Sequence, residues 1–204
     1  MPCSCTWCGA PRRKLPSFLR NLLQDDLGRL RKDINLEVHA SSSGVPVSNA
    51  TVQEVCELNP ELTILTLRNC DLVTDAGLWY AAYGSRASVS RYADDRWLLV
   101  PWCAFGRAIA RACTSITSLN LSGLPEVSHV GIRAVTLRCR DLEVLDLSRC
   151  AGVHDLACRV LAAGCWALKD LNLHGTKAIT DAGISELVQC CKRLERLNVS
   201  QYVA

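Results

Sequence analysis

Cys113, Cys139, Cys165 and Cys191 stand 26 residues apart, and the same apolar frame follows each of them. It reads Ile116-x-x-Leu119-x-Leu121, Leu142-x-x-Leu145-x-Leu147, Leu168-x-x-Leu171-x-Leu173 and Leu194-x-x-Leu197-x-Val199. A frame rewritten at a fixed interval is a repeat architecture, and a period of this length holds one strand and one helix per unit.

Within a unit the last two apolar residues alternate, as on a short strand with one buried face, and the pattern then turns helical. The segment Ile179-Thr180-Asp181-Ala182-Gly183-Ile184-Ser185-Glu186-Leu187-Val188 shows that second half. Thr180 suits a helix N-cap, Asp181 places negative charge in the first turn, and Ile184, Leu187 and Val188 form one apolar stripe. Strand, turn and helix return the chain to its starting level, so successive strands lie parallel. The expected class is α/β, a solenoid with a parallel sheet on its concave face and helices on its convex face. Burying about six aliphatic side chains stabilises one unit by roughly 9–18 kcal/mol. Ordering its backbone costs about 1–2 kcal/mol per residue, so a lone unit cannot fold and stacked units can.

A Cys opening each unit, the L-x-x-L-x-L frame, a second Cys eleven residues on (Cys150, matched by Cys70) and an "ITDAG"-like helix start occur together here. The combination resembles the cysteine-containing class of leucine-rich repeats, best known from F-box/leucine-rich-repeat proteins, the substrate-recognition subunits of SCF-type ubiquitin ligases. The resemblance covers residues 47–78 and 113–200. It implies a non-catalytic protein-interaction module, a substrate-recognition or adaptor protein. The chain departs from the pattern at Leu124 and Thr176, which stand where the second Cys would be, and at His154, which replaces the capping Thr.

The composition narrows the alternatives. With 204 residues and 49% apolar content the chain can build one sizeable core,. Its net charge of +3, from 23 basic and 20 acidic residues, is too balanced to imply nucleic acid,. No apolar run reaches the roughly 18 residues of a membrane span, so no membrane partner is expected. Most of the thirteen Cys fall at buried repeat positions without a small-scaffold disulfide spacing, which points to a reducing compartment,.

Residues 1–36 read as an N-terminal tail and capping helix, and residues 37–204 as the repeat domain. Cys3, Cys5 and Cys8 supply three thiolates at C-x-C-x-x-C spacing, but no fourth ligand follows, so no metal is expected,. Across 11–24, Arg12, Arg13, Lys14 and Arg20 precede any acid, while Leu15, Phe18, Leu19, Leu22 and Leu23 share a helical face. That segment fits a helix capping the first repeat, as solenoids require, with a mitochondrial presequence as the alternative. The expected location is accordingly cytoplasmic, or else mitochondrial. Leu15-Pro16 echoes the start of an F-box, but too few residues follow before the first repeat to hold one.

Ile34, Leu36 and Val38 alternate as a strand, and after Ser41-Ser42-Ser43-Gly44 a helix begins near Val47 with Val55 and Leu58 on its stripe. Residues 79–112 break the rhythm and hold seven of the chain's eleven aromatics. They read as a degenerate repeat, with Trp97-Leu98-Leu99-Val100 as its strand, or as an insertion projecting its aromatics. The first is preferred, because that many exposed aromatics demand a partner. The last frame is followed only by Gln201-Tyr202-Val203-Ala204. A sheet cut there exposes an edge strand, to be covered by a partner or by Tyr202 and Val203 folding back.

No catalytic constellation is present. His39, His129, His154 and His174 fall in different registers, none in a known catalytic motif,. The expectation is a protein that is not an enzyme and needs no cofactor. Function should instead lie in the residues between the leucines, which point onto the concave sheet face: Thr66 and Arg68; Asn120 and Ser122; Glu143, Asp146 and Ser148; Lys169, Asp170, Asn172 and His174; Arg196, Asn198 and Ser200. Any one of them is an ordinary solvated residue. As a row, with both charge signs, they suggest a protein partner. Three roles follow: an adaptor related to SCF-type ligases, a structural subunit or scaffold of a large assembly (ciliary, cytoskeletal or mitochondrial), or a mitochondrial assembly factor.

Overall fold

The computed structural model describes Leu23 and residues 30–37, 46–76, 78 and 114–200. Six three-residue strands form one parallel sheet in sequence order: β1 (Asp33–Asn35), β2 (Ile64–Thr66), β3 (Ser118–Asn120), β4 (Val144–Asp146), β5 (Asp170–Asn172) and β6 (Arg196–Asn198). Ile34, Leu65, Leu119, Leu145, Leu171 and Leu197 pair in one rung across all six. The expected alignment of the apolar frame is therefore observed.

Among the described residues, four ten-residue helices accompany the sheet, α1 (Asn49–Leu58), α2 (His129–Arg138), α3 (Asp155–Gly164) and α4 (Asp181–Cys190), and a further helix begins at Asp75. α2 packs on α3 and α3 on α4. Each helix starts after an extended residue whose backbone breaks the strand-side run. Ser128 accepts from the Val130 N–H, and His154 does the same chemistry for α3, its Nδ1 accepting from the Leu156 N–H at 3.4 Å. The substitution of His154 for the usual hydroxyl thus leaves the helix start in place.

Thr180 occupies the N-cap of α4 but makes no side-chain cap bond. Its hydroxyl instead donates to Asp155 Oδ2 at 2.7 Å, while its N–H donates to Asp155 Oδ1 at 2.8 Å. Asp75 grips Ser128 in the same two-point way, at 2.8 and 2.6 Å. Asn49 and Thr74 exchange an equivalent pair, both at 2.9 Å. The first residue of one helix therefore clamps the cap of the next. Between α2 and α3 the clamp is replaced by a ring contact, with the His129 and His154 centroids 5.2 Å apart.

The clamp explains the glycines that follow it. A Cβ on Gly183 would sit 2.4 Å from Asp155 Oδ1, and one on Gly131 would sit 2.4 Å from Asp75 Oδ1. Where His129 stands in place of the Asp, the matching position of α3 is Ala157, fully buried.

The core is a stack of aliphatic rungs with cysteine and its stand-ins in fixed columns. Cys139, Cys165 and Cys191 terminate their helices, as Asn59 terminates α1, and all four are buried. Cys70, Leu124, Cys150 and Thr176 fill the second column and are equally buried. Thr176 satisfies its hydroxyl by donating to the Leu173 carbonyl at 2.6 Å, so a polar residue of similar volume is accommodated,. Burial pushes the Cys158 and Cys165 thiols up to about 12 and those of Cys70 and Cys150 up to about 11. These thiols stay protonated and serve as small apolar fillers.

Several expectations need correction. Leu58 and Val188 are exposed rather than core residues. The first strand ends at Asn35, with Leu36 and Glu37 already helical. β2 hydrogen-bonds directly to β3 although their paired residues lie 54 apart in sequence, against 31 between β1 and β2 and 26 from β3 onward. No strand therefore lies between β2 and β3 in the sheet. Trp97–Val100 and the rest of 79–113 lie outside the described residues, as do the tail residues Cys3, Cys5 and Cys8, the presequence-like segment apart from Leu23, and Tyr202 and Val203.

Candidate functional site

The sheet face turned away from the core is built from four columns. In the first, Thr63 Oγ1 donates to the Lys32 carbonyl at 2.9 Å and Thr117 Oγ1 to the Thr63 carbonyl at 3.3 Å. Further along that column Lys169 Nζ meets Glu143 Oε1 at 2.7 Å, and Glu195 follows. The second column runs Asp33, Ile64, Ser118, Val144, Asp170, Arg196, and Arg196 Nη2 lies 2.9 Å from Asp170 Oδ2. Both ion pairs are partly exposed, a setting where each contributes about 0.2–1 kcal/mol and is weakened by salt.

The third column behaves differently. Asn35, Asn120, Asp146, Asn172 and Asn198 each turn a side-chain oxygen back to the N–H two residues on, at 2.8–3.1 Å. Such Asx turns bend the backbone out of the strand. The bend is completed one residue after the donors Ser122, Ser148 and His174, where Gly123, Arg149 and Gly175 take φ of 74°, 59° and 72°, and Asn69 takes 55° at the same repeat position. Asn172 Nδ2 also donates to Asp146 Oδ2 at 3.1 Å, tying neighbouring turns together.

In the fourth column Ser122 and Ser148 are buried, Arg68 Nε lies 3.7 Å from Glu37, and His174 Nδ1 is 2.7 Å from Ser200 Oγ. The expected row is therefore contiguous but unequal. Asn120, Asp146, Asn172 and Asn198 are engaged with the backbone, and Ser122 and Ser148 are covered. Arg68, Glu143, Lys169, Asp170, His174 and Arg196 remain reachable, with Thr66 beside them.

Sequence reasoning listed only polar members of this face and so passed over Ile64, which is exposed, and Val144, which is half-buried. It also missed Trp166, 70% exposed in the turn between α3 and β5. The signal was available, since Trp166 holds the repeat position of Arg140 and Lys192, both exposed. Of the histidines, only His174 lies on the sheet face, and His39 lies outside the described residues. Among the described residues there is no group of three or more His, Cys, Asp or Glu side chains placed to share a metal ion, and no helix long and apolar enough to cross a membrane.

No protein-family model and no curated protein matches the chain. Among solved structures, the chain is similar to a chain in the crystal structure of the Rad7 and Elc1 complex in yeast, with a TM-score of 0.58 and 18% sequence identity. The similarity covers 90% of this chain and 39% of the other, so the protein spans about two fifths of the length of the chain it matches. At that identity the likeness is one of fold: an α/β repeat with a six-stranded parallel sheet.

Proposed function

We propose that this protein is a leucine-rich repeat of the cysteine-containing class, and that it works without catalysis as a protein-interaction module. The observation that carries the reading is the row of charged and polar side chains held across six parallel strands, with its reachable members concentrated at Arg68, Glu143, Lys169, Asp170, His174 and Arg196. Mixed charge at fixed 26-residue intervals suits a folded protein surface better than a polyanion. The F-box/leucine-rich-repeat resemblance specifies the partner class, an adaptor or substrate of an SCF-type ubiquitin ligase. The similar solved chain comes from a complex of two proteins, in keeping with that class. Free, buried cysteines fit a reducing compartment, the cytoplasm,.

Affinity purification of the full chain from cells, read by mass spectrometry, tests this. Wild type should retain a Skp-like adaptor or another ligase subunit, and Lys169→Glu with Arg68→Glu should lose it while melting at an unchanged temperature. Recovery without any ligase subunit, or an unchanged partner set in the variant, rejects the reading. Recovery of one large stoichiometric complex instead would select a second reading, a scaffold within a larger assembly.

A further inference from the structure

α2, α3 and α4 end alike. Their C-caps Cys139, Cys165 and Cys191 share one backbone conformation, with φ of −87°, −105° and −82° and ψ of 76°, 70° and 77°. The two residues after each cap therefore stack in register: Arg140-Asp141, Trp166-Ala167 and Lys192-Arg193. Burial foremost raises the Cys165 thiol and the Arg140 charge opposes it, which places that guanidinium close to the turn carrying Trp166.

A cation at Arg140 or Lys192 has an ordinary cause, since positive charge complements the C-terminal end of a helix dipole. Trp166 has no such cause. It is 70% exposed at the centre of the strip, and Leu137 in the last turn of the neighbouring α2 is 42% exposed. Arg140, Asp141, Lys192 and Arg193 are exposed on either side. Three cations against the single acid Asp141 leave the strip positive, with its apolar residue in the middle.

We propose that Trp166 and the cations around it form a second docking surface, on the turns that lead from the helices into the strands, for an acidic segment of another protein that presents an apolar side chain to the indole. This surface does not depend on what the sheet face binds. The indole takes the apolar side chain, while Arg140 on one flank and Lys192 with Arg193 on the other take carboxylates. Trp and Arg are the side chains on which binding energy concentrates at interfaces. An anionic membrane is disfavoured by magnitude. Three cations at about 1 kcal/mol each, beside one aromatic, give marginal adsorption, and Asp141 opposes it. A second copy of this chain is disfavoured because both molecules carry a net charge of +3.

Fluorescence anisotropy of a dye-labelled peptide, rich in Glu and Asp with a central Phe-Leu pair, titrated with the full chain, reads the result directly. The peptide should bind, and more weakly as salt is raised. Trp166→Ala should weaken binding by about tenfold or more, as should Arg140→Glu with Lys192→Glu. Arg133→Glu, an exposed position halfway along α2, should leave the affinity unchanged. All these side chains are exposed, so each variant should melt with the wild type in circular dichroism. Failure of the peptide to bind, affinity untouched in Trp166→Ala, or a loss in Arg133→Glu equal to that in the Arg140 and Lys192 pair overturns the proposal. So does pelleting with phosphatidylserine vesicles, or self-association in sedimentation velocity, that Trp166→Ala abolishes. The first assigns the surface to a membrane and the second to another copy.

Discussion

The sharpest demands at the residue scale fall on the turn after each strand. Four residues at the same repeat position, Asn69, Gly123, Arg149 and Gly175, adopt left-handed backbone. Only two are glycines, which is why the column is hard to see in the sequence. A Cβ at Gly175 would meet Arg149 Cγ at 3.4 Å, an ordinary contact, so there the backbone conformation alone sets the cost of a side chain. Gly175→Ala should lower stability by about 1 kcal/mol, read as a drop in the urea midpoint at unchanged slope. Arg149→Gly should move the midpoint the other way by less, because glycine's freedom in the unfolded chain offsets most of the relief.

Neighbouring helices in this molecule are joined at their N-terminal ends by side chains as well as by packing. Asp155 receives the N–H and the hydroxyl of Thr180, and the backbone bond foremost holds its carboxyl below the usual carboxylate range. A depressed folded-state pKa means that the clamp contributes fully above the unfolded value, about 3.9, and is lost as pH falls through the folded one. Asp155→Asn should therefore flatten the low-pH arm of the stability profile. Gly183→Ala brings a methyl against the same carboxylate and should destabilise strongly on its own. In an Asp155→Ala background its cost should shrink, a positive coupling in a double-mutant cycle. The helix starts themselves were legible from Thr180, Asp181 and their equivalents. The clamp was not, because it joins residues 25 and 53 positions apart that only stacking brings together.

Taken whole, the molecule is a column of units in which each rung leans on the two beside it. Leu145 lies in a central rung and is 2% exposed, so Leu145→Ala should cost about 2–5 kcal/mol and lower the melting temperature of the entire sheet in one transition,. The parallel ladder was readable from spacing alone, since a 26-residue period fixes which leucines meet. The working part of the sheet face was less so. Periodicity marks a side chain as outward but does not say whether it turns back onto the backbone, as Asn120 and Asn172 do, or is covered, as Ser122 is. Nor did spacing reveal that β2 and β3 are immediate neighbours. That adjacency means the ladder owes none of its continuity to the extra sequence between them.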